Sequence, residues 1–147
     1  MMQSIVFGIF LYFTIIIGYF MILPFLDFES IKTSLFNGQG IDQSNFIFVA
    51  LYISFCNSFL EEYFFRGLLL QSNIFISALL FSLYHLCMMI GWFNPILLLL
   101  AICGLFVVGY VLNLIASKVN GIFSTWIIHM FCNFGINTIG FIILGMI

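Results

Sequence analysis

Long apolar stretches, interrupted by short polar segments, cover almost the whole chain. A helix needs about 20 residues to cross the hydrocarbon core of a bilayer. Stretches of this size predict five helices, at residues 4–26, 46–70, 73–91, 95–116 and 122–147. The pattern therefore predicts an all-α fold, a polytopic transmembrane helical bundle of about five helices.

The segment between the first two predicted helices is the one substantial polar loop. It carries Asp27, Glu29, Lys32 and Asp42 together with two glycines, a composition typical of turns and loops. Elsewhere the sequence contains no linker that would separate two domains, and it contains no internal repeat. We therefore expect residues 1–147 to form a single integral membrane domain.

The composition supports a membrane protein and excludes a nucleic-acid-binding surface. Of the 147 residues, 65% are hydrophobic and only 5% are charged, which lies far outside the range of soluble globular domains. Three basic residues cannot form an electropositive patch, so the expected partner is membrane lipid and not nucleic acid. The four cysteines lie within apolar runs, where we expect buried, reduced thiols; they are Cys56, Cys87, Cys103 and Cys132.

Six candidate functional side chains lie inside the predicted helices: Glu61, Glu62, Arg66, His85, His129 and Asn133. An ionisable group near the bilayer centre costs on the order of 2.5–3.5 kcal/mol, so it needs a partner or a wet cavity. Glu62 and Arg66 are four residues apart, a spacing that allows an ion pair on one helical face. We expect this pair to hold the second helix in register and to keep Glu61 directed towards a cavity.

Depth along the predicted helices relates four of these residues to one another. At about 1.5 Å per residue, Glu61, His85, His129 and Asn133 lie roughly 12–18 Å from the same side of the membrane. A lone histidine or asparagine in a membrane helix, such as His85 or Asn133, is more often explained by hydrogen bonding between helices. Four residues of catalytic type at one depth, on three helices, favour a shared site.

The residue types indicate hydrolysis of a peptide bond. A buried carboxylate beside an imidazole, Glu61 with His85, can act as a general base towards water. A second imidazole and an amide, His129 with Asn133, can donate hydrogen bonds to the oxyanion that forms when water attacks a carbonyl.

Zinc hydrolysis is an alternative that the residue types leave open. Two histidines and one glutamate, here Glu61, His85 and His129, form a ligand set that catalytic zinc uses. The HExxH spacing of many zinc peptidases is absent from the sequence. The metal-free assignment is favoured, with Zn2+ as the alternative cofactor.

Three short motifs follow one another in the chain. The stretch EEYFFRG at 61–67 has the pattern EExxxR, FSLYH at 81–85 has FxxxH, and HMFCN at 129–133 has HxxxN. Over approximately residues 46–135, the chain resembles the CPBP family of CAAX-protease-like and bacteriocin-processing intramembrane proteases. The resemblance implies a helical membrane peptidase in which Glu61 and His85 act on water, while His129 and Asn133 stabilise the oxyanion.

We therefore expect an intramembrane endopeptidase that cleaves a peptide or a membrane-anchored protein. The alternatives are a non-catalytic bacteriocin immunity or binding protein, a zinc-dependent intramembrane metalloprotease, and a proton or ion transporter. The short, Phe- and Ile-rich chain is typical of a bacterial plasma-membrane protein. Because family members are often longer, the chain is expected to be a minimal member, a truncation, or a subunit that needs an oligomer or a partner chain.

Overall fold

The computed structural model describes residues 1–71, 73–119 and 121–147, and this part of the chain is all-α, as predicted. The α-helices are α1 (Met2–Ile22), α2 (Phe28–Thr33), α3 (Phe46–Tyr52), α4 (Ser58–Glu62), α5 (Ile74–Met89), α6 (Pro95–Val119) and α7 (Phe123–Ile143). Short π-helical turns lie at Ser34–Gly38, Ile53–Asn57 and Tyr63–Leu68, and 3-10 turns at Leu23–Phe25 and Leu69–Gln71.

Four helical runs within the described residues are long and apolar enough to cross a membrane. They are Met2–Phe25, Phe46–Leu68, Pro95–Val119 and Phe123–Ile143. The second run contains α3, α4 and two of the π-helical turns. The chain is therefore an integral membrane protein by the length and composition of its helices.

The third predicted span is shorter than the sequence suggested. The pattern predicted a helix over 73–91, but α5 has 16 residues and is about 24 Å long. The helix ends in a turn in which Ile90 leaves the helical conformation, with ψ 122°. Gly91 follows with a positive φ of 92°, which glycine adopts without steric cost. The prediction of a full membrane span for this helix is wrong, although the helix itself is present.

Asparagine side chains start the two helices that pack together in the second half of the chain. Asn73 accepts hydrogen bonds from the backbone N–H groups at the start of α5, at 2.8 and 3.1 Å. Asn94 does the same for α6, at 3.1 and 3.0 Å. Pro95 occupies the first position of α6, where a missing N–H leaves no helical hydrogen bond unmade.

The polar loop contains a short helix that the sequence did not reveal. Asp27 caps α2 by accepting a hydrogen bond from Ser30 N at 3.1 Å. Ile31 and Leu35 are buried, at 3% and 7% exposure. Two buried apolar side chains anchor this segment, which explains why part of a loop rich in charged residues folds as a helix.

The end of the same loop is fixed by reciprocal hydrogen bonds. Asp42 Oδ1 accepts from Ser44 Oγ at 2.6 Å and from Asn45 N at 3.2 Å. Asn45 Oδ1 accepts in turn from Asp42 N at 3.0 Å. The hydrogen bond from the Ser44 hydroxyl lowers the pKa of the Asp42 carboxyl below its ordinary value. The turn therefore sets where α3 begins.

Packing divides the chain into two compact units. The first unit contains Met1–Ser58 and Trp126–Ile147, and the second contains Phe59–Thr125. The expectation of a single integral membrane domain over residues 1–147 stays a prediction.

In the first unit, glycines allow α1 and α7 to approach closely. A Cβ added at Gly8 would lie 2.6 Å from Phe131 Cδ2, and one at Gly135 would lie 3.2 Å from Ile15 Cγ2. Lipid is as apolar as the helices, so association in a membrane depends on such close packing.

In the second unit, α5 and α6 form an antiparallel pair with a similar contact. A Cβ at Gly109 of α6 would lie 2.9 Å from Phe81 Cδ1 and 3.6 Å from the backbone of Ala78. Ala78 and Phe81 are both buried, at 0% and 2% exposure. This pairing positions the α5 face that carries His85.

The prediction of buried cysteines is wrong for three of the four. Cys56, Cys87 and Cys103 are exposed, while Cys132 is half-buried. On an apolar membrane helix an exposed side chain faces lipid, so burial and hydrophobicity are separate properties here.

Candidate active site

Glu61 and His85 come together in the second unit. Glu61 lies in α4 and His85 in the last two turns of α5. Glu61 Oε2 and His85 Nε2 are 3.6 Å apart, and their side chains are 6% and 19% exposed. The structure thus brings a buried carboxylate and a half-buried imidazole into one small region.

The other ring nitrogen of His85 determines which tautomer the neutral imidazole adopts. Nδ1 lies 2.8 Å from the backbone carbonyl oxygen of Phe81, one helical turn earlier. A carbonyl oxygen only accepts hydrogen bonds, so Nδ1 carries the proton. In the neutral ring, Nε2 is then an acceptor that points towards Glu61.

The distance between the two groups suits a shared water molecule. A separation of 3.6 Å exceeds that of a direct N–H···O hydrogen bond. A carboxylate oxygen and an unprotonated Nε2 are both acceptors, and one water can donate a hydrogen to each of them. The pair can therefore hold a water molecule and accept a proton from it.

Glu62 and Arg66 form the ion pair that their spacing predicted. Arg66 Nη1 donates to Glu62 Oε1 at 2.8 Å, and both side chains are completely buried. Arg66 Nη2 lies 3.4 Å from the Gly109 carbonyl oxygen, and its Cζ lies 4.3 Å from the centre of the Phe81 ring. The guanidinium is thus compensated by charge, by hydrogen bonds and by an aromatic face.

His129 and Asn133 lie in α7, which belongs to the first unit. His129 is buried, at 5% exposure. Asn133 Nδ2 donates to the Ile53 carbonyl oxygen at 3.1 Å. Asn133 therefore makes a hydrogen bond between helices within its unit, which is the non-catalytic role that a polar residue in a membrane helix commonly has. The oxyanion role of the two residues stays a prediction.

A protein-family model describes the segment that contains all of these residues. The model for Type II CAAX prenyl endopeptidase Rce1-like matches residues 43–135. The chain belongs to this family. Among curated proteins and solved structures, none matches the chain significantly.

Membership in the Rce1-like family supports intramembrane endopeptidase activity in general. The matched segment, residues 43–135, agrees with the region of 46–135 over which the sequence resembled the CAAX-protease-like family. It begins before the second helical run and ends within α7, so α1 and the end of α7 lie outside it.

Asn113 is a residue of the second unit that sequence reasoning missed. Its side chain is fully buried in α6. Oδ1 accepts from Arg66 Nε at 3.0 Å, and Nδ2 donates to the Ile74 carbonyl oxygen at 2.8 Å. A signal was present, because Asn113 is the single side-chain amide in the predicted helix 95–116 and such a group needs partners in a membrane.

Further polar residues that the sequence reading overlooked hold α7 in the first unit. Trp126 Nε1 donates to Ser58 Oγ at 3.1 Å. Asn137 Nδ2 donates to the Ala50 carbonyl oxygen at 3.1 Å and to Ser54 Oγ at 3.0 Å. The signal for Asn137 was its place one helical turn after Asn133 on the same face.

The acceptors of these bonds surround a widened turn of the second helical run. The π-helical turn Ile53–Asn57 shifts the backbone hydrogen bonding by one residue. Asn133 donates to the Ile53 carbonyl oxygen at the start of this turn. Asn137 donates to the Ala50 carbonyl oxygen, about one turn earlier. Irregular helical backbone in a membrane requires such partners.

The zinc alternative finds no ligand set in the described structure. Among residues 1–71, 73–119 and 121–147, no group of three or more His, Cys, Asp or Glu side chains is placed to share a metal ion. Catalytic zinc takes three protein ligands. His129 lies in the first unit, and Glu61 and His85 lie in the second, so the zinc alternative stays a prediction.

Proposed function

We propose that this chain is an intramembrane endopeptidase in which Glu61 and His85 activate water against a peptide bond. The observation that supports this most is the 3.6 Å separation of Glu61 Oε2 and His85 Nε2, with Nδ1 held by the Phe81 carbonyl. Both residues fall in the segment matched by the endopeptidase family. The proposed substrate is a peptide or a membrane-anchored protein.

In the proposed reaction, the Glu61 carboxylate accepts a proton from the water that it holds with His85. The water oxygen forms a bond to the carbonyl carbon, and the electron pair of the C=O double bond moves to the carbonyl oxygen. When this oxyanion re-forms the carbonyl, the C–N bond breaks and the proton on Glu61 passes to the leaving nitrogen. The products are a carboxylic acid and an amine, and Glu61 is again a carboxylate.

We assign the oxyanion interaction to His129 and Asn133. An imidazole N–H and an amide N–H are suitable donors to the developing negative charge. The hydrogen bond from Asn133 to the Ile53 carbonyl is compatible with this role, because an amide nitrogen carries two hydrogens.

A second candidate is a non-catalytic immunity or binding protein that keeps these residues as a polar core. This candidate is favoured by the structural contacts that two motif residues make. The Arg66 side chain is wholly buried and paired with Glu62, and Asn133 donates a hydrogen bond to the backbone carbonyl of Ile53. For such a protein, Glu61→Gln should preserve protection against a bacteriocin, because binding needs no water activation.

The deciding experiment combines metal analysis with cleavage of a peptide library. Detergent-purified wild type and Glu61→Gln are compared with and without a chelator. Removing a general base typically lowers the rate by about 10²–10⁴-fold, so we expect chelator-resistant cleavage that is lost in Glu61→Gln. A matched control is Glu29→Gln, because Glu29 lies in α2 with its side chain 86% exposed.

Each outcome separates the candidates. Full cleavage by a correctly inserted Glu61→Gln protein would show that Glu61 is not the general base. Stoichiometric zinc with chelator-sensitive cleavage would support the metalloprotease alternative. A wild-type protein that cleaves no member of the library, but protects cells from a bacteriocin, would favour the binding protein.

A further inference from the structure

The side-chain amide of Asn113 joins three helical segments of the second unit. Its oxygen accepts from Arg66 Nε at 3.0 Å, in the π-helical turn Tyr63–Leu68. Its nitrogen donates to the Ile74 carbonyl oxygen at 2.8 Å, in the first turn of α5. Only a side chain with both a donor and an acceptor can make these two bonds from one position on α6.

These contacts fix the orientation of Arg66. With Nε bound to Asn113, the rigid fork of the guanidinium directs Nη1 to Glu62 at 2.8 Å and Nη2 towards the Gly109 carbonyl at 3.4 Å. Asn113 and Gly109 lie one turn apart on α6, so the helix contacts the guanidinium at two points.

Arg66 and His85 both contact the ring of Phe81. The Phe81 ring has the Arg66 guanidinium at 4.3 Å from its centre and the His85 imidazole at 4.6 Å between ring centres. The Phe81 carbonyl accepts the Nδ1 hydrogen bond of His85. A displacement of Arg66 would therefore move Phe81, and Phe81 would in turn move His85.

The space around Phe81 leaves little room for an alternative arrangement. Phe81 is 2% exposed, and a Cβ at Gly109 would lie 2.9 Å from its Cδ1. A ring in such close contact transmits a displacement of its neighbours instead of absorbing it.

From these contacts, we infer that Asn113 is a positioning residue for the Glu61–His85 pair, acting through Arg66 and Phe81. The inference rests on the proposed peptidase function. Asn113 holds the guanidinium against the ring, and the ring holds the imidazole in the orientation that presents Nε2 to Glu61.

The first test reads His85 directly and needs no substrate. The chain has two histidines, so 15N-histidine labelling in detergent gives two sets of ring signals, which His85→Gln assigns. We expect the wild type to show a protonated Nδ1 and an unprotonated Nε2 at His85. In Asn113→Leu, which keeps the approximate volume but removes both hydrogen bonds, we expect the two nitrogens to average between tautomers.

A matched control is the same substitution at the other buried amide, Asn137→Leu. Asn137 is 6% exposed and donates two hydrogen bonds within the first unit. We expect it to lower thermal stability as Asn113→Leu does, but to leave the His85 signals unchanged. If Asn113→Leu does not fold, Asn113→Ala provides the same reading without an added apolar side chain.

The second test is kinetic. Misplacing a catalytic group through its supporting residues lowers rates by about 10–100-fold. We expect Asn113→Leu to lower kcat by this factor with an unchanged KM, and Asn113→Gln, which retains a donor and an acceptor, to restore part of the loss. Wild-type His85 signals in folded Asn113→Leu or Asn113→Ala would overturn the inference. An inactive wild type with the expected His85 signals would count against the proposed function instead.

Discussion

Replacing Arg66 with methionine should be among the most destabilising single changes in this protein. The substitution leaves the Glu62 carboxylate in a position with 0% side-chain exposure. Breaking a buried ion pair from one side typically costs about 3–5 kcal/mol. It also removes the donor to Asn113 Oδ1, and a buried polar atom left without its bond costs about 1–3 kcal/mol. Because both losses arise from one side chain and are not strictly additive, we expect about 4–6 kcal/mol.

The size of this loss can be tested against a variant that removes both charges. In Glu62→Gln/Arg66→Met neither charge of the pair remains, so we expect most of the ion-pair loss to be recovered and the double variant to be more stable than Arg66→Met. Reversible unfolding with sodium dodecyl sulfate, followed by circular dichroism, gives the free energies of unfolding.

The exposed ion pair in α2 provides the control. Lys32 Nζ lies 3.7 Å from Glu29 Oε1, and the two side chains are 44% and 86% exposed. Exposed pairs of this kind contribute little, so Lys32→Met should change the free energy of unfolding by less than about 1 kcal/mol. An Arg66→Met protein as stable as the double variant would refute the reasoning, because it would mean that the Glu62 charge carries no penalty.

Two further predictions use pairs of like residues in different surroundings. Trp126→Phe should lose about 1 kcal/mol more stability than Trp92→Phe. The reason is that Trp126 donates a hydrogen bond at 3.1 Å, whereas Trp92 Nε1 has no acceptor among the described residues. Equal losses of stability in thermal denaturation would contradict this prediction. Gly8→Ala should destabilise by about 1–3 kcal/mol, since its Cβ would lie 2.6 Å from Phe131 Cδ2. Gly104→Ala, where the Cβ meets no atom within 4 Å, should be neutral or slightly stabilising. A destabilised Gly104→Ala variant would contradict the open space that the structure shows around Gly104.

Hydropathy and residue spacing were enough to predict the class of the protein and the pairing of residues within one helix. Hydropathy and length predict membrane helices because the bilayer sets both. The Glu62–Arg66 ion pair was predicted from their spacing, since residues four apart in a helix lie on one face. The three motifs likewise identified the segment that the family model matches.

Contacts between helices needed the tertiary structure. The partners of Asn113, and the bond from Asn133 to the Ile53 carbonyl, join residues 39 to 80 positions apart. In a membrane helix both the packed face and the lipid face are apolar, so periodicity does not show which side chains face a neighbour. The exposed cysteines illustrate the same limit.

The candidate site combines features that the sequence predicts with a distance that depends on how the helices pack. Its residue types were visible in the sequence, and so was the turn-to-turn spacing that allows His85 Nδ1 to reach the Phe81 carbonyl. The 3.6 Å approach of Glu61 to His85 was not, because it depends on how α4 and α5 pack. That packing depends on buried polar contacts such as those of Asn113, and these reflect the three-dimensional arrangement of donors and acceptors that hydropathy does not encode.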